Sequence, residues 1–88
     1  MISIVVPTLN ERARITGLLE SLSALPGEKE IVVADGGSTD GTVEAAEAVP
    51  GVRVVRCGRG RALQLNAGAC AARGGVLWFV HGDARVAP

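Results

Sequence analysis

Glu30-Ile-Val-Val-Ala-Asp-Gly-Gly-Ser-Thr-Asp-Gly-Thr42 decides how this chain folds. Glu30–Ala34 is a short apolar run, which suits a strand covered on both faces. Asp35–Thr42 is rich in turn formers and leads into a short helix predicted through Val43–Ala48. Upstream, Ile2–Val6 is β-branched and almost continuously apolar, a second buried strand that Pro7 should end. Between the two, Asn10 is expected to cap a helix, with Glu11 in its first turn, where a carboxylate complements the helix dipole. Ile15, Leu18, Leu19, Leu22 and Leu25 recur at helical spacing, and Pro26-Gly27 stops that run. Downstream, Val52–Arg56 reads as a third strand. Gly58-Arg-Gly-Arg61 opens a helix over Ala62–Ala72 closed by Gly74-Gly75, and Val76–Val80 reads as a fourth strand. Trp78 and Phe79 fall inside that last strand and are expected in the core. Apolar strands alternating with helices mean an α/β fold: a parallel sheet with helices on both faces. In such sheets the ligand lies outside the carboxyl ends of the strands. Every polar cluster sits at such an end: Asn10-Glu11, Asp35–Asp40, Arg59–Arg61 and His81–Asp83.

Composition narrows the function classes. Eighty-eight residues, 48% of them hydrophobic, make one small domain with a thin core and no disordered tract. Nine Lys+Arg against nine Asp+Glu give net zero, which argues against a general nucleic-acid or membrane-surface binder. The arginines are uneven, however. Arg53, Arg56, Arg59, Arg61 and Arg73 crowd the second half, and guanidinium forks suit phosphates. Cys57 and Cys70 make neither a disulfide framework nor a zinc site, and they are expected to be small buried hydrophobes in a reducing compartment. No basic n-region precedes the first apolar run, and no apolar run approaches the 18–20 or so residues that span a bilayer. A soluble, cytoplasmic chain is expected.

The same polar clusters carry a family likeness. Ile4-Val-Val-Pro-Thr-Leu-Asn-Glu11 followed by Val33-Ala-Asp-Gly-Gly-Ser-Thr-Asp-Gly-Thr42 resembles the start of family 2 glycosyltransferases of the GT-A fold. Gly60-Arg-Ala-Leu-Gln-Leu-Asn-Ala-Gly-Ala69 and Leu77-Trp-Phe-Val-His-Gly-Asp83 look like one bacterial subgroup of it, with a histidine in the metal motif. The resemblance covers essentially the whole chain and implies a Rossmann-like nucleotide-binding half with spatial strand order 3-2-1-4. The family's catalytic domain is much longer. Residues 1–88 are therefore expected to be a single domain, the truncated N-terminal part of such a catalytic domain, and the edge beyond the fourth strand is expected to be uncovered and prone to self-association.

Each motif has a plain structural reading beside the functional one. Asp35 is either a turn residue capping the next helix or the carboxylate that the resemblance brings to the nucleotide. Many relatives carry two aspartates here; this chain has Asp35-Gly36. Ser38, Thr39 and above all Asp40 fit helix capping better. The resemblance places Pro7 and Thr8 at the base and Glu11 near the ribose, against a plain helix-dipole role for Glu11. Gly58-Arg-Gly-Arg61 is neither a Walker A nor a dinucleotide fingerprint. It is either a solvated arginine pair or a diphosphate cradle, with Arg61 favoured by the family's donor site. The roles of Gln64 and Asn66 stay open. In His81-x-Asp83, the resemblance implies that Asp83 ligates a divalent cation, Mn²⁺ or Mg²⁺. His81 stands where most relatives have aspartate, and imidazole favours Mn²⁺.

The expected function is an inverting glycosyltransferase that binds a nucleotide-diphosphate sugar, with UDP-type donors favoured, and transfers the sugar to an acceptor hydroxyl. No residue here is a candidate for the acceptor base, so no catalytic residue is assigned and the chain alone is expected to be inactive. The alternatives are a nucleotidyltransferase, disfavoured by Pro7-Thr-Leu-Asn-Glu in place of a Gly/Arg-rich loop, and a non-catalytic nucleotide-binding module.

Overall fold

The computed structural model describes residues 1–80. Its elements are β1 (Ile2–Thr8), α1 (Arg12–Ser23), β2 (Lys29–Asp35), α2 (Thr42–Glu47), β3 (Val52–Arg56), α3 (Arg61–Ala71) and β4 (Val76–Phe79). The four strands form one sheet in the order β3-β2-β1-β4, parallel throughout. This is the expected α/β topology. The apolar faces explain it. Ile4, Val6, Ile31 and Val33 project to one side and pack on Ile15, Leu18, Leu19 and Leu22 of α1 and Ala46 of α2. The other side is covered by α3, which lies across β1, β2 and β3.

Gly68 sets how closely α3 approaches. A Cβ there would stand 2.2 Å from Val5 Cγ1, far inside contact distance. The far end of α3 is fixed by charge: Arg53 donates to the Ala71 carbonyl (2.7 Å) and faces Glu30 at 3.5 Å. A cation at a helix C-terminus complements the dipole. Glu30 also accepts from Ser3 Oγ and from the Arg73 backbone N–H, and that backbone bond leads the causes holding its carboxyl below the usual range. Arg53 is therefore an anchor for the helix end.

Several local expectations give way. β1 runs through Pro7 to Thr8, in register with Ala34 and Asp35. Val5 O accepts from Val80 N, so by strand alternation the missing N–H of Pro7 points to the same β4 side. The last β1–β4 pair among the described residues is Val5 with Phe79. Asn10 is not the helix cap. It sits at φ 53 and gives its side-chain carbonyl to Thr39 N, while Glu11 takes the N-cap position without a side-chain bond. Trp78 and Phe79 are 44% and 45% exposed rather than core. β4 pairs only with β1 among the described residues, and α3 packs on the other three strands instead. Cys57 is half-buried in the segment after β3, and Cys70 is exposed because the sheet-facing side of α3 belongs to Gln64 and Gly68. Among the described residues no helix is long and apolar enough to cross a membrane.

Gly68→Ala is expected to lower the urea midpoint. Overpacking costs about 1–3 kcal/mol, against a helix-propensity gain of at most about 1 kcal/mol. Val5→Ala in the same chain should return part of the loss, and a single variant as stable as the parent would contradict the close α3–β1 packing.

Candidate functional site

β1 and β2 end side by side, with Thr8 opposite Asp35. Both are 1% exposed. The Thr8 hydroxyl donates to Asp35 Oδ1 at 2.8 Å, and the Ser38 hydroxyl donates to the same oxygen at 2.5 Å. Oδ2 accepts from the backbone N–H groups of Gly37 (3.0 Å) and Ser38 (2.8 Å). A carboxylate offers about four lone-pair sites, and protein donors occupy all of them. Burial pushes the Asp35 carboxyl up, but these bonds, those from Ser38 foremost, outweigh it and hold the group below the usual carboxylate range.

From Asp35 the network spreads into both loops. Ser38 Oγ accepts from Asn10 N, and Thr39 N donates to Asn10 Oδ1. Glu11 N donates to Thr42 Oγ1 at 2.9 Å. Asp40 accepts from Arg12 N at 3.1 Å and from Thr42 N at 3.0 Å, so one carboxylate serves the first residues of α1 and α2 together. The Thr42 hydroxyl also donates to it, and that bond contributes most to lowering its pKa. Asp40 is thus not at either N-cap position, which Glu11 and Gly41 hold, but its carboxylate serves the starts of both helices from just outside them.

Arg61 begins α3 and lines a small cavity of about 60 Å³ with Pro7, Leu65, Phe79 and Val80. Pro7, Thr8, Glu11, Asp35 and Arg61 therefore all stand at the carboxyl ends of the strands or in the segments just beyond them. Thr8 and Asp35 are bonded, Pro7 and Arg61 share the cavity, and Glu11 joins through its backbone. Arg53 and Arg73 are not part of this group; both lie at the Glu30 anchor. His81 and Asp83, the expected cation ligands, lie outside the described residues. Among the described residues no group of three or more His, Cys, Asp or Glu side chains could hold a metal ion. A wider groove of about 620 Å³ runs along α1 and α2, lined by Thr16, Ala45, Val49 and Pro50 among others.

Sequence reasoning left Gln64 without a role. It is 6% exposed, and its amide nitrogen donates to the Thr8 carbonyl (2.8 Å) and the Ala34 carbonyl (3.0 Å). The available signal was its spacing: it lies one turn before Gly68, on the same helix face.

Comparison with known proteins accords with this architecture. Residues 3–88 match the family model described as Glycosyl transferase family 2. The chain belongs to that family. An uncharacterized protein of Mycobacterium tuberculosis is 39% identical over the whole chain, which spans 29% of that relative. Glucosyl-3-phosphoglycerate synthase from M. tuberculosis, crystallised with Mn²⁺, UDP and glucosyl-3-phosphoglycerate, superposes with a TM-score of 0.82 at 33% identity, covering 94% of this chain and 33% of that one. The mannosyltransferase PcManGT from Pyrobaculum calidifontis, in complex with GDP-Man and Mn²⁺, gives a TM-score of 0.79 at 30% identity over 93% of this chain and 27% of its own. The chain thus spans about a third or less of these relatives.

Asp35→Asn should cost about 2–3 kcal/mol, because an amide nitrogen would face donors at one of the two oxygens. The stability due to the carboxylate is fully present above its unfolded pKa of about 3.9 and lost as the pH falls through the lower native value. Urea melts from pH 7 to 2 should show a shallower acid decline for Asp35→Asn; parallel curves would remove Asp35 from the acid limb.

Proposed function

We propose that this chain is the donor-binding, N-terminal part of a larger glycosyltransferase family 2 catalytic domain. The whole enzyme would act in the cytoplasm as an inverting transferase, taking a nucleotide-diphosphate sugar, UDP-type favoured, and passing the sugar to an acceptor hydroxyl. The observation that carries this reading is the convergence of Pro7, Thr8, Glu11, Asp35 and Arg61 at one end of the sheet. Similar proteins crystallised with UDP or GDP-Man and Mn²⁺ support it.

In this reading the base lies against Pro7 and Thr8, and the ribose lies near Glu11. Asp35 is already saturated, so a nucleotide donor group reaches Oδ1 only by replacing the Ser38 hydroxyl, the one side-chain donor there that swings on a loop. Gly58–Arg61 receives the diphosphate, with the fixed charge of Arg61 positioned for a phosphate oxygen. Asp83 and His81 are the proposed cation ligands. Asp83 is the sole acidic residue after Glu47 and His81 the sole histidine, and a carboxylate with an imidazole suits Mn²⁺. When bound, the cation neutralises charge on the departing diphosphate. Deprotonation of the acceptor falls to a residue outside this chain.

Calorimetry with UDP- and GDP-sugars, with and without Mn²⁺, tests the reading. Asp83→Asn should remove most of the Mn²⁺-dependent affinity, about 30- to 1000-fold, and His81→Ala far less. Equal small losses for both would show that the metal is held elsewhere.

Val76, Leu77, Trp78 and Phe79 are all exposed, on both faces of a strand with one neighbour among those described. β4 is accordingly proposed as an interior strand of a larger sheet, and residues 1–88 in isolation should self-associate through it. A monodisperse, cooperatively unfolding monomer in sedimentation would refute this.

A further inference from the structure

The proposed donor site has two halves on different elements: the strand ends with their loops, and the Gly58–Arg61 segment leading into α3. Gln64 is the side chain that joins them. Its amide nitrogen bonds the Thr8 and Ala34 carbonyls, one at the end of each central strand. Its carbonyl oxygen takes the Gly60 N–H at 3.4 Å, and its own backbone N–H donates to the Gly60 carbonyl at 2.9 Å. Gly60, at φ 136, is the N-cap of α3. Both polar groups of the cap residue are therefore held by one residue in the next turn, and that residue is buried against the strand ends.

The space for this arrangement is provided by Gly36. A Cβ there would stand 2.9 Å from Gln64 Cδ, 3.0 Å from Oε1 and 3.1 Å from Nε2. The amide is pinned by two short bonds and cannot swing aside without losing them. Gly36 and Gln64 thus form one packed unit.

We propose that Gln64 is a positioning residue of the donor site, setting the Gly58–Arg61 segment against the ends of β1 and β2, and that Gly36 is the partner that makes room for it. This rests on the donor-site reading above. Without the glutamine the helix start loses this tie to the strand ends, and the phosphate-binding half moves relative to the nucleoside-binding half. The loss should fall on the diphosphate.

The test uses the full-length protein, with UDP and uridine as probes in the presence of Mn²⁺, and circular dichroism to confirm folding. Gln64→Ala and Gly36→Ala should each lower the ratio of UDP to uridine affinity about tenfold, while uridine binding stays within about twofold. In the Gln64→Ala background, Gly36→Ala should cost less than about twofold more, because the atoms it strikes are gone. Gln64→Glu, which donates to neither carbonyl as a carboxylate, should behave like Gln64→Ala above the pH at which it ionises. A purely structural glutamine would lower the urea midpoint and leave the ratio unchanged. An unchanged ratio in folded variants, or strictly additive losses, overturns the proposal while leaving the donor site standing. If Gln64→Ala fails to fold, the ratio for Gly36→Ala alone decides. A parent protein that binds neither UDP nor GDP overturns the donor-site reading, and this proposal with it.

Discussion

One buried negative charge disciplines the functional end of this molecule. The Asp35 carboxylate lies at the end of a central strand where water hardly reaches, so it must be met by donors or be expelled. Those donors come from Thr8 and from Gly37 and Ser38 of the following loop. The loop is bent to serve the charge, which places the Ser38 oxygen where Asn10 N can reach it. Asn10 in turn adopts a left-handed backbone, and its side chain fastens the second loop to the first. Asp40 closes the circuit at the starts of α1 and α2. The entry points of two helices thus follow from the solvation of one carboxylate.

The opposite face of the sheet is organised by closeness. Gly68 lets the α3 backbone lie almost against Val5, and at that spacing a side chain as short as Gln64 spans from helix to strand ends. A bulkier residue at 68 would lift the helix and draw the Gln64 amide away from the two strand-end carbonyls. The Arg53–Glu30 anchor holds the other end of the same helix. α3 is thereby fixed at both ends by polar groups and in the middle by the absence of a side chain.

What the sequence revealed follows from this division. Strand identity was legible because apolar β-branched runs alternate with helices, and the strand order came with the family resemblance, in keeping with right-handed crossovers. The positions of Pro7, Thr8, Asp35 and Arg61 at the carboxyl edge were legible for the same reason. Non-local polar pairing was not. Asn10 looked like a cap by local rules, yet a loop 29 residues away claims its carbonyl, and Asp40 supplies the helix instead. Pro7 looked like a terminator, but β1 continues through it to Thr8, paired with β2 on the side away from its missing donor. Trp78 and Phe79 looked like core because strand character was readable, whereas what covers a strand was not. Gln64 was left without a role because its partners are main-chain carbonyls, which carry no residue identity.

The lopsided sheet has a kinetic corollary. β1 and β2 are flanked by pairing strands and sealed on both faces, so their amides open to solvent only when most of the structure does. Among the described residues β4 has one neighbour, and its side chains are exposed throughout, which puts its ladder bonds near the low end of the opening free-energy scale. Amide exchange should therefore run as a gradient across the sheet, fastest at β4 and slowest at the β1–β2 seam. Protection of β4 would then report, residue by residue, whatever packs beside it.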